Sequence, residues 1–189
     1  SGVSIAGTAV GNNFCYAKGT EEREQQMNYV KEWVDYAQVM GAPHIRVFAG
    51  EHPKGMTPEE CEANSIEALA EATEYAGDRG IFLGIENHDS IGTAEHLLRV
   101  VKAVDSPWLG VNLDTGNFRS EDPYADMAAC VPFAINVQVK VGMKVGGEKV
   151  ETDLDRVGRI LKDGGYRGFV VLEYEENDDP FEAVPAALQ

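Results

Sequence analysis

Apolar positions along this chain alternate between two periods. Between residues 20 and 40, Met27, Val30, Val34 and Ala37 recur at i, i+3, i+7 and i+10, the spacing of one helical face. Thr20 supplies an N-cap, Glu21 and Glu22 load the first turn with the charge the dipole favours, and Gly41 ends the helix. The segment HIRVFAG then predicts a strand over 44–49. The alternation repeats. Thr57 and Pro58 open a helix over 58–78 that turns Cys61, Ser65, Ala68, Leu69, Ala72 and Tyr75 inward, and IFLGIENHD follows as a strand. Thr93 starts a third helix with Leu97, Val101 and Val104 on its apolar side, before the strand LGVNLDTGNF. A short helix over 122–130 precedes FAINVQVKV, and a helix over 152–163 burying Leu154, Val157, Ile160 and Leu161 precedes FVVLEYE. DPFEAVPAALQ begins one more helix.

Helices alternating with largely apolar strands predict an α/β fold with a parallel sheet covered on both faces. Six strands are expected, at 4–10, 44–49, 81–86, 109–114, 134–140 and 169–174, in a single domain over 1–189. The longest irregular stretches, 11–19, 50–57, 115–122 and 141–151, each follow the C-terminal end of a strand, where α/β proteins carry their working loops. The Gly-rich stretch 142–150 lacks phosphate-loop context and is expected to be a flexible loop over the mouth, a lid.

Charge narrows the partners. The formal net charge of −16 opposes a phosphate backbone, so nucleic acid is not expected as a partner. No apolar run approaches the roughly 20 residues that span a bilayer, so no membrane is expected. Cys15, Cys61 and Cys130 have neither metal-type spacing nor a disulfide pattern, which predicts buried free thiols in the cytoplasm.

The strand ends carry the candidate chemistry. Glu86, Asp114, Gln138 and Glu173 stand at or near the last positions of four successive strands. In a parallel barrel those ends surround one axial point. Three carboxylates there repel one another unless a cation joins them, and an oxygen-rich set with one neutral donor suits one divalent metal, Mn²⁺ or Mg²⁺ first, with Co²⁺ or Zn²⁺ also accommodated. Arg46 points inward by alternation and needs a carboxylate partner such as Glu86, or binds substrate. His88 and Lys140, each two residues beyond one of these four, are candidates for substrate oxygens. Glu175 and Glu176 are expected to be solvated, and His44, His52 and His96 peripheral. Trp108 is expected to pack on the face opposite the site, and Trp33 in core or interface.

GIENH, GVNLDTGN, VQVK and VVLEYE resemble the xylose isomerase-like TIM-barrel superfamily of sugar isomerases and epimerases. The resemblance implies an eight-stranded (β/α) barrel, here incomplete with about six of eight strands and lacking the first two βα units. It implies a metal held by Glu86, Asp114, Gln138 and Glu173, with Gln138 where the family usually has His. Asn117 stands where a substrate-directed His is common. It further implies a sugar or sugar derivative as substrate, an enediolate route, and Glu86 and Glu173 as acid and base on opposite faces. Few basic residues at the mouth argue against a phosphate. The alternatives are a non-catalytic sugar- or metal-binding partial barrel and, less favoured by charge and histidine count, an abasic-site endonuclease-like phosphodiesterase. Open apolar sheet edges predict a homo-oligomer.

Overall fold

The computed structural model describes residues 2–188, the side chain of residue 89 excepted. Its elements follow in the order β1 (Thr8–Ala9), α1 (Glu21–Met40), β2 (His44–Val47), α2 (Pro58–Gly77), β3 (Phe82–Glu86), α3 (Ala94–Val104), β4 (Leu109–Asp114) and α4 (Pro123–Cys130). They continue with β5 (Ala134–Val139), β6 (Gly142–Val145), β7 (Glu148–Glu151), α5 (Leu154–Asp163), β8 (Phe169–Leu172) and α6 (Pro180–Ala187). The caps are those the sequence announces. Thr20 accepts from the Arg23 amide, Thr57 and Glu60 close a reciprocal capping box, and Gly41 takes a left-handed φ of 73°.

Six strands form one parallel sheet in the order β1-β2-β3-β4-β5-β8. It curls into an incomplete (β/α) barrel, so that residues of β1 and β8 line one cavity of about 290 Å³ with His44, Asn112 and Asn136. Leu83, Ile85, Val111, Leu113 and Val137 point the other way and pack under the helices with Val34, Leu69, Leu97 and Met127. A register shift between Val111 and Asn112 sets Asn112 beside Asn136 and Asp114 beside Gln138. Gly110 sits at this irregularity. A Cβ there would meet Ile135 Cγ2 at 2.3 Å, so only glycine lets β4 and β5 approach.

Several expectations need correction. The first strand is two residues long, not 4–10, because only Thr8 and Ala9 find ladder partners on β2. The Gly-rich stretch is not an irregular loop: β6 and β7 pair antiparallel, turning on Gly146 and Gly147, both at positive φ. Leu154 is 48% exposed at the first turn of α5, whereas Val157 and Leu161 are buried. Trp108 packs against Phe82 at 4.9 Å between centroids, away from the strand ends, as expected. Trp33 is half-buried on α1 between Tyr29 and Tyr36. The three thiols are buried, as expected. The β8 edge leaves Phe169, Val170 and Val171 between 37% and 56% exposed. No helix among the described residues is long and apolar enough to cross a membrane.

Candidate functional site

The C-terminal ends of β3, β4, β5 and β8 bring Glu86, Asp114, Gln138 and Glu173 to one place. Adjacent registers do this directly: Glu86 lies beside Asn112, Asp114 beside Gln138, and the Glu173 amide donates to Val139 O at 2.9 Å. β4 ends on a carboxylate because the turn behind it needs one. Asp114 Oδ1 accepts from the Gly116 amide at 2.7 Å, and Asn87 clamps the Asp114 backbone with two 2.8 Å hydrogen bonds.

Asp114 is fully buried and Glu86 is 3% exposed. Burial drives the Asp114 carboxyl up to about 8, helped by its hydrogen bond to Glu173 and the charge of Glu86, against the pull of Lys140. Burial also raises Glu86, with Arg46 opposing. Glu173 is half-buried. Burial works against its charge, but hydrogen bonds from Asp114 and Gln138 and the Lys140 charge outweigh that and hold it below the ordinary range. Asp114 therefore keeps the proton of the pair and Glu173 the charge.

Two cations balance these acids. Arg46 Nε stands 3.1 Å from Glu86 Oε2, with the guanidinium 4.1 Å above the Phe48 ring. Lys140 Nζ lies 3.3 Å from Asp114 Oδ2, 3.6 Å from Glu173 Oε2 and 2.7 Å from Glu175 Oε2. Burial disfavours the ammonium, but the hydrogen bond to Glu175 and the surrounding acids win and raise its pKa. Asn117 joins the two groups: its Nδ2 donates to Glu86 Oε1 at 2.9 Å and its Oδ1 accepts from Lys140 at 3.2 Å. His88 sits at the rim, half-buried, its ring 4.7 Å from that of Phe48. A cleft of about 280 Å³ opens above, between Asn117, Lys140, Glu173 and the hairpin residues Met143 and Lys149.

Seven of the eight candidate residues are thus linked around one site, and His88 stands beside Glu86 with its ring against Phe48. Glu175 is exposed, as expected, and its carboxylate also pairs with Lys140 at the mouth; Glu176 pairs with Lys149 at 2.6 Å. His44 was expected at the periphery. It is 6% exposed inside the barrel, Nδ1 2.9 Å from Ala6 O, and burial holds its pKa below the usual value. His52 is exposed, and His96 meets Glu62 on the outer helices at 2.6 Å. Asn87, Asn112 and Asn136 were missed. The signal for the last two was present: each lies two residues before a site residue on its strand and so shares its inward face.

The donor set suits a hard divalent cation. Glu86 Oε2 and Asp114 Oδ2 are buried oxygens that accept no hydrogen bond, with the charges of Arg46 and Lys140 beside them. Three carboxylates and an amide, with no sulfur, match Mg²⁺ or Mn²⁺ chemistry. Among the described residues, no three carboxylate, imidazole or thiol groups already enclose a single point, and the Lys140 ammonium stands between Asp114 and Glu173.

Known structures share this architecture. The 3-keto-D-glucoside 4-epimerase YcjR from E. coli aligns with a TM-score of 0.83 at 14% identity, covering 99% of this chain and 78% of the epimerase. A D-tagatose 3-epimerase-like protein aligns at 0.78 and 22%, over 95% of this chain and 74% of its own. A xylose isomerase-like TIM barrel protein from Mycobacterium smegmatis, solved in complex with magnesium, aligns at 0.71 and 18%, over 91% and 67%. At such identities the likeness is one of fold. No curated protein matches the sequence. The family described as xylose isomerase-like TIM barrel matches residues 1–189, and with six parallel strands and their covering helices in that arrangement the chain belongs to this family.

Proposed function

We propose that this chain is a divalent-metal-dependent sugar isomerase or epimerase that works through an enediolate. The observation that carries the reading is the convergence of Glu86, Asp114 and Glu173, two of them fully or nearly buried, at the ends of neighbouring strands under an open cleft. Isolated buried carboxylates are expensive, and a site that gathers three has a use for negative charge. The epimerase and epimerase-like protein among the compared structures, and the magnesium in the Mycobacterium smegmatis xylose isomerase-like barrel, support the same reading.

Glu86, Asp114 and Glu173 hold the cation, with Gln138 as the neutral fourth donor. When bound, the ion supplies Lewis acidity that lowers the pKa of a C–H beside the substrate carbonyl. The protein's own groups do the rest. One of Glu86 and Glu173 takes the proton from that carbon, and the electron pair of the C–H bond becomes the C=C of the enediolate. For isomerisation the proton returns to the neighbouring carbon; for epimerisation the other glutamate delivers one to the opposite face. Lys140 and Asn117 face the cleft with donors for substrate oxygens, Arg46 holds Glu86, and His88 closes the rim. The substrate is a sugar or sugar derivative of small size, matching the cleft of about 280 Å³. Three reduced cysteines fit a cytoplasmic setting.

The test is exchange of a substrate C–H with solvent deuterium across a panel of aldoses and ketoses in the presence of Mn²⁺ or Mg²⁺. Exchange is expected with at least one sugar. Glu173→Gln should abolish it while leaving the fold intact, and activity within threefold of the parent would refute the assignment. Metal binding with no exchange on any sugar would identify a binding protein instead.

A further inference from the structure

Three side-chain amides form a chain along the inner face of the sheet. Asn136 Nδ2 donates to Asn112 Oδ1 at 2.8 Å, Asn112 Nδ2 donates to Gln138 Oε1, and Gln138 Nε2 donates to Glu173 Oε2 at 2.7 Å. Asn112 is fully buried and Asn136 is 5% exposed, so water does not compete freely for these bonds.

The direction of this chain is dictated from its top. Gln138 turns its amide nitrogen, not its oxygen, to Glu173 Oε2. That leaves the Gln138 oxygen for Asn112, which in turn donates upward and accepts from below. Nothing pins the foot. Asn136 Oδ1 is buried and receives no donor. His44, whose Nδ1 lies 2.9 Å from Ala6 O, reaches Asn112 from the side and leaves Asn136 Oδ1 without a donor. The same three side chains thus have a second arrangement with every amide turned over. Asn112 then donates down to Asn136, Gln138 donates down to Asn112, and the Gln138 oxygen faces Glu173. Alone, that arrangement sets two oxygens against each other. A cation shared by Gln138 and Glu173 turns the repulsion into coordination.

We propose that Asn112 and Asn136 are positioning residues, forming a reversible amide relay that decides which end of Gln138 faces the acid cluster, and that cation binding reverses it. The inference rests on the metal-dependent reading above. It assigns a reason to two buried amides in a barrel interior that Val, Ile and Leu ordinarily fill. It also explains how Gln138 can serve the site in two ways: as a donor that holds the Glu173 carboxylate, and as an oxygen ligand once the ion arrives.

Side-chain amide NMR tests it, with Gln138 signals identified by their loss in Gln138→Met. In metal-free protein, nuclear Overhauser contacts should join the Gln138 amide protons to the Glu173 methylenes. Saturating Mg²⁺ should abolish those contacts and move the signals of Asn112, Asn136 and Gln138 with one midpoint, equal to that from calorimetry. Asn136→Asp places a second acceptor at the foot to compete with Glu173, and should weaken the Gln138–Glu173 contact without any cation. Asn112→Leu should weaken Mg²⁺ binding roughly tenfold or more. If Asn136→Asp does not fold, the titration of the parent protein still decides. Calorimetric Mg²⁺ binding with the Gln138–Glu173 contact intact would overturn the relay while leaving the metal reading standing. Absence of heat with both Mg²⁺ and Mn²⁺ would overturn the metal reading, and the relay's reversal with it.

Discussion

Asp114→Asn isolates the tension stored in the acid cluster. In the folded protein, burial and the neighbouring carboxyls lift Asp114 from 3.8 to about 8. The folded state therefore binds this proton more tightly than the unfolded chain does. Stability contributed by the group is lost as pH rises from about 4 to about 8 and is flat above that. Roughly four units at about 1.36 kcal/mol each set a ceiling of about 6 kcal/mol of destabilisation at alkaline pH. Asn removes the ionisation but not the shape. Its oxygen can still accept from the Gly116 amide, while its amide group faces Lys140, which lies 3.3 Å from the original carboxylate and keeps Glu173 and Glu175 as partners. That mismatch offsets much of the gain, and we expect a net stabilisation of about 2 kcal/mol at pH 8.5, which raises Tm by about 4–8 °C for a chain of this size. At pH 4 the ionisation cost in the parent has all but gone while the mismatch with Lys140 remains, so the variant should melt below the parent and the order should reverse as pH rises. The assay is thermal unfolding of parent and variant in EDTA from pH 4 to 9. A Tm difference independent of pH, or a parent more stable than the variant at pH 8.5, would refute the claim that burial strains this carboxylate. The variant should also lose Mg²⁺ binding, measured by calorimetry, so that stability and cation affinity move in opposite directions.

Arg46→Met should cost about 3 kcal/mol, seen as a lower urea midpoint at pH 7, because it leaves Glu86 buried without its 3.1 Å partner. Glu86→Gln in the same background should recover most of that loss, since the uncompensated charge is then gone. Light scattering at micromolar concentration should report a species larger than one chain, given the exposed Phe169, Val170 and Val171 on the β8 edge; a stable monomer would contradict the expected self-association.

The sequence by itself determined most of the elements and which candidate residues stand at the strand ends. Helix faces, caps and stops were legible because each rests on local chemistry: Thr20, Thr57 and Thr93 accept the amides they were expected to cap, and Gly41 takes the φ only glycine adopts easily. The inward direction of Arg46, and the gathering of Glu86, Asp114, Gln138 and Glu173, followed from strand alternation and the geometry of parallel sheets. Only the tertiary structure decided what surrounds them. Strand β1 shrank to two residues because ladder partners, not propensity, define a strand. His44 moved from periphery to interior because its partners, Ala6 and Asn112, lie on segments distant in sequence. The buried amides Asn112 and Asn136 read as ordinary polar interruptions of apolar strands until the register shift at Val111 set them side by side. Local patterns fix what each residue needs; contacts between segments distant in sequence fix who provides it.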